Sequence, residues 1–68
     1  MADVARSFTE AELWAQALAI EELLGDRALE WLGRTAVELH AAGDARGVRW
    51  MRDMHVRVEL LSAARRRT

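Results

Sequence analysis

The dipeptide Gly-Asp occurs twice, at 25–26 and 43–44, and each time it closes an apolar periodic run, LLGD and AAGD. Glycine suits the residue just past a helix end, where the backbone turns left-handed, and aspartate suits the N-cap of the helix that follows. Two such joints divide the chain into three short helices, at about 10–24, 27–42 and 45–64. With so little linker between them, consecutive helices have to turn sharply on each other. The expected fold is therefore all-α, a compact three-helix bundle forming one domain over residues 1–68, with flexible ends at 1–8 and 65–68.

The first helix start is legible in SFTEAEL. Thr9 as N-cap can accept from the Glu12 backbone N–H, and Glu12 can reach back to the Thr9 N–H. Phe8 ahead of the cap can pack on Leu13. Glu10 and Glu12 oppose the positive end of the helix dipole. A chain of 68 residues with no cysteine has neither disulfides nor thiolate zinc sites to support it, so its stability must come from a Leu- and Trp-rich core or from self-association.

Spacing residues at 100° gives each helix an apolar face. Leu13, Ala17, Ile20 and Leu24 form one seam of the first helix, with Trp14 and Leu18 as a second beside it. Leu29, Leu32, Ala36 and Leu39 form the seam of the second, with Glu30, Arg34 and Glu38 as a solvated ladder behind. The third has a main seam of Gly47, Trp50, Met51, Met54, Val58 and Leu61. Nearly opposite lies a shorter seam of Val56, Leu60 and Ala63, flanked by Arg49, Arg52, Arg57 and Glu59. A three-helix monomer can bury only one of these two, so the second predicts a partner, and the simplest partner is another copy of the chain. The expected interface is Trp14, Leu18, Arg49, Arg52, Val56, Leu60 and Ala63.

Each helix carries one tryptophan. Trp14, Trp31 and Trp50 are read first as the large pieces that fill a small core. The lesser reading has one of them, Trp14 or Trp31 at the edge of its apolar face, anchoring an interface.

Chemistry is poorly represented. Glu21 and Glu22 point to different sides of a helix and read as a solvated acidic end. Met51, His55 and Glu59 line up at i, i+4, i+8, a spacing that can hold a metal or a base but is more often a boundary strip with an i, i+4 hydrogen bond. His40 reads as a structural residue near the end of the second helix. AGDARGV has two glycines but no preceding strand and no following Lys-Ser/Thr, so it is no phosphate loop; Gly47 there reads as a close-approach position. No catalytic residue, metal or cofactor is expected.

Charge is uneven. Residues 1–34 hold seven acids against three arginines, and residues 35–68 hold four acids against seven. That asymmetry suits contacts within or between copies as well as an outside ligand. A helix-turn-helix reading fails, because Leu39, Arg49 and Arg52 occupy places that need one small and two apolar residues. Any nucleic-acid binding is expected to be non-specific, through the basic C-terminal half and above all Arg65, Arg66 and Arg67. The start MADVARS lacks the form of a secretory signal and no apolar run approaches the ~20 residues of a membrane span, which predicts a cytoplasmic location without membrane attachment.

Across residues 11–62, the E-L-W-A near the start and the later A-G-D-A-R-G-V-R-W resemble a set of short helical proteins of alphaproteobacteria. In these, a Gly-Asp-x-x-Gly-Val stretch followed closely by Trp opens the last helix. Leu13, Trp14, Gly43, Asp44, Gly47, Val48 and Trp50 carry the resemblance. The family is a domain of unknown function, so the resemblance implies a fold and carries over no activity. From the residues themselves, the expected function is a small homodimeric interaction or regulatory module acting on an unknown protein partner.

Overall fold

The computed structural model describes residues 8–67, which form helices α1 (Glu10–Leu24), α2 (Ala28–Ala41) and α3 (Ala45–Arg67). The start of α1 uses the expected capping box. The Glu12 N–H donates to Thr9 Oγ1 at 3.1 Å, and the Thr9 N–H donates to Glu12 Oε1 at 2.8 Å. Two of the orphan donors at the helix start are thereby satisfied within the chain.

The first Gly-Asp joint differs from expectation. Gly25 does take positive φ, +55°, but Gly25–Arg27 forms a 3₁₀ turn that carries α1 directly into α2. α1 thus ends at Gly25 as expected, but Asp26 lies within the 3₁₀ turn and is not an N-cap. The capping position of α2 falls on Arg27, whose side chain makes no capping hydrogen bond. The first residue of α2, Ala28, is already buried in the core, so the joint is short.

The second joint behaves as the sequence implies. Gly43, at φ +78°, donates its N–H to the His40 carbonyl at 3.0 Å, and the Asp44 N–H donates to the Leu39 carbonyl at 2.9 Å. This crossed pair is the Schellman closure of a helix end. Asp44 then caps α3, its Oδ1 accepting from the Gly47 N–H at 2.9 Å. The loop reverses the chain, and α3 returns against α2 as a helical hairpin. α3 continues to Arg67 instead of ending near residue 64.

α3 is the spine on which α1 and α2 both pack, while α1 and α2 touch each other little. Three long-range bonds fix how α1 lies. Glu10 bonds Arg57, Gln16 bonds Trp50 and Glu21 bonds Arg65. No single parallel or antiparallel register satisfies all three, so α1 crosses α3 instead of running beside it. The body measures 45 × 27 × 16 Å. Its thin dimension holds two helix layers at the usual interaxial spacing of about 8–10 Å and leaves no room for a third.

The core lies between the layers. Ala17, Ala28, Leu32, Met51, Met54 and Val58 are buried, and Leu13, Ile20, Leu24, Leu29, Ala36, Leu39, Trp50 and Leu61 pack around them. The main seams read from the sequence are thus the faces that meet. Only Trp50 of the three tryptophans joins this core; Trp14 and Trp31 remain 37% and 38% exposed, contrary to a core of three indoles.

Candidate interaction surface

Two arginines of α3 turn toward α1 and shape its edge. Arg57 stands out, with its side chain only 12% exposed. Its Nη2 donates to both carboxylate oxygens of Glu10, at 2.9 and 3.0 Å, and its Nη1 donates to the Asp53 carbonyl at 3.0 Å. The guanidinium lies 5.3 Å from the centroid of the Trp14 ring, a cation–π contact. Sequence reading placed Arg57 on the solvated flank of the outer seam; the crossing of α1 places it under Trp14. Its Nε is buried with no hydrogen-bond partner among the described residues, so this arrangement is not fully satisfied.

Arg65 is the second. Its Nη2 donates to Glu21 Oε1 at 2.7 Å. Glu21 is buried rather than a solvated helix end as expected, and a buried carboxylate requires such a partner. Arg65, read from the sequence as part of a phosphate-contact tail, is therefore bonded to α1, while Arg66 and Arg67 lie exposed on the last turn of α3.

The expected interface residues separate into two adjoining groups. On α3, Arg49, Arg52, Val56 and Leu60 are exposed on the side away from the core, and Ala63 beside them is half-buried. Val56 and Leu60 are each 55% exposed. On α1, Trp14 and Leu18 are exposed one turn apart. The Trp14–Arg57 contact joins the groups, since Val56 and Leu60 neighbour Arg57 on α3.

Sequence reasoning missed how far the α1 surface extends. Ala11, Ala15, Leu18, Ala19 and Leu23 are all exposed, Leu23 at 82%. The signal was present in EAELWAQALAIEELL, which is apolar on nearly every side, a composition usual for a helix covered all round. Also missed was a groove of about 320 Å³ between α2 and α3, floored by Leu32, Ala36 and Met51 and rimmed by Val37, Arg52 and His55. Gly33, which lines it without a side chain, has nothing within 4 Å of where a Cβ would stand.

The remaining polar residues are arranged for solvent. Arg34 and Glu30 pair at 3.7 Å with both side chains mostly exposed. His55 Nδ1 stands 3.9 Å from Glu59 Oε1, an ion-pair distance for a protonated ring and too long for the hydrogen bond expected there. Gly47 has its close neighbours in Asp44 and in Leu39 of α2, where a Cβ would fall 2.7 Å from the Asp44 carboxylate. Among the described residues, no three His, Cys, Asp or Glu side chains converge to hold a metal ion, and no helix is long and apolar enough to cross a membrane. No protein-family model, curated protein or solved structure matches the chain.

Proposed function

We propose that this protein is a small cytoplasmic interaction module that works as a homodimer, presenting helix faces to a protein partner and performing no chemistry of its own. The observation that supports it is the apolar surface left on the outside of a two-layer body: Leu18 and Leu23 on α1, and Val56 and Leu60 on α3. Single exposed apolar residues are ordinary, but several large ones on the outer sides of two helices of so small a body are of the kind that marks association surfaces. Membership of the helical family suggested by the stretch from Gly43 to Trp50 would be compatible with this reading and would add no activity to it.

Nucleic-acid binding is the lesser reading, because Arg57 and Arg65 are already paired with α1 carboxylates. Sedimentation velocity at micromolar concentration tests the proposal. The chain is expected to sediment as a dimer, and the Val56→Glu, Leu60→Glu variant as a folded monomer. A wild-type chain that stays monomeric at tens of micromolar would sink it.

A further inference from the structure

We infer that the groove between α2 and α3 is a binding site for a small aromatic carboxylate, a flat apolar ring system bearing one anionic head. This does not rest on the homodimer reading. It begins from a glycine that the fold does not use. Gly25 and Gly43 take positive φ at helix ends, and Gly47 has Asp44 and Leu39 close against it. Gly33 has neither reason. It stands inside α2 without positive φ, and nothing lies within 4 Å of where its Cβ would be. Glycine at such a place weakens a helix relative to alanine. What it leaves is room: Gly33 lines the groove of about 320 Å³, which is at the lower end of the range of small-molecule sites.

The rest of the lining selects the chemistry. The groove is mostly apolar, and Met51 forms part of its floor. A thioether makes favourable contacts with an aromatic ring. A flat ring is also the body that can lie against a helix wall from which a side chain is missing. The polar groups on the lining are His40, Arg52 and His55, with no carboxylate among them. The neighbouring acids are engaged elsewhere, since Glu59 pairs with His55 at 3.9 Å and Asp44 caps α3. Arg57 and Arg65 are held by α1 carboxylates, but Arg52 is exposed on the groove rim with no ion pair or hydrogen bond among the described residues. A free guanidinium beside an apolar groove matches a carboxylate on an apolar body, which it can hold with two parallel hydrogen bonds.

Sodium 2-naphthoate, with uncharged 2-naphthamide as its control, tests this in amide NMR spectra of the isotope-labelled chain. Naphthoate is expected to bind saturably with a dissociation constant below about 1 mM, moving the Gly33, Val37 and Arg52 amides most. Naphthamide on the wild type, and naphthoate on Arg52→Gln, are each expected to bind about fivefold or more weakly, the loss of one charged hydrogen-bonding partner. Gly33→Leu, which fills the groove from its α2 wall, is expected to abolish binding. Far-UV circular dichroism checks the fold; if Gly33→Leu loses helix, Gly33→Ala takes its place and must weaken binding in the same direction. The site is overturned if naphthamide binds as tightly as naphthoate, if Gly33→Leu binds like wild type, or if the shifts centre on Val56 and Leu60. Shifts that fade as protein concentration rises give the groove to a second copy and overturn it too. The homodimer reading stands or falls separately, by sedimentation without ligand.

Discussion

Replacing Gly47 by alanine sets two effects of similar size against each other. Alanine is favoured over glycine inside a helix by about 0.8–1 kcal/mol. Against that, a Cβ on residue 47 would lie 2.7 Å from Asp44 Oδ2 and 3.0 Å from its Cγ, and 3.1 Å from Leu39 Cδ1. The first contact cannot be held, so the Asp44 carboxylate must swing away and give up the Gly47 N–H that it accepts at 2.9 Å. Losing an N-cap costs about 1 kcal/mol. Moving Leu39, which packs against the core, adds about 1 kcal/mol more of overpacking cost. Gly47→Ala should therefore destabilise the protein by about 1 kcal/mol, despite its better helix propensity. In an Asp44→Ala background the carboxylate is gone, and the same change should be close to neutral. A four-chain double-mutant cycle, followed by tryptophan fluorescence in urea at one fixed protein concentration, should give a coupling of about 1 kcal/mol. A coupling below about 0.3 kcal/mol, or a stabilising Gly47→Ala in the wild-type background, would refute the role given to the Asp44 side chain.

Arg57→Lys keeps the charge but loses the two-pronged bond to Glu10 and the stacked guanidinium on Trp14, which should cost about 1–2 kcal/mol and shift Trp14 emission; unchanged stability and emission would show that Arg57 is not a fork-and-stack residue. Arg65→Ala leaves the Glu21 carboxylate buried without its guanidinium partner. Because Arg65 is itself 60% exposed and water reaches the pair, the expected cost is about 1–2 kcal/mol rather than the ~3–5 of a fully buried pair. Adding Glu21→Gln to Arg65→Ala should recover part of that loss in a denaturation series, and failure to recover any would mean that the carboxylate charge is not what the arginine offsets.

The exposed apolar strips have a cost that bears on function. A two-layer body of this thickness can cover one side of each helix, and α1 and α3 each carry apolar residues on two. The proposed self-association would cover the surplus without lengthening the chain. It would also make stability depend on protein concentration, so unfolding midpoints measured at different concentrations should diverge in the direction that mass action requires.

Interactions that close within about five residues were determined by the sequence alone. Thr9 with Glu12, and Gly43 with Asp44 and Gly47, are local hydrogen-bond arrangements whose geometry depends on little else. The seams of the three helices were equally legible, because a 3.6-residue period places Leu13 to Leu24, Leu29 to Leu39 and Trp50 to Leu61 on single faces wherever the helices sit. At Asp26 local grammar was ambiguous, since Gly-Asp can end a helix and cap another or lead into a 3₁₀ turn, and the turn is what forms, directly ahead of the buried Ala28. Tertiary structure alone decided the fates of Glu21, Arg57 and Arg65. Their partners lie 44 and 47 residues away, and the angle at which α1 crosses α3 brings them into reach. Periodicity tells which side of a helix is apolar; it cannot tell which long side chain a crossing helix will cover, and here that difference placed two arginines on α1 and left Arg49 and Arg52 facing out.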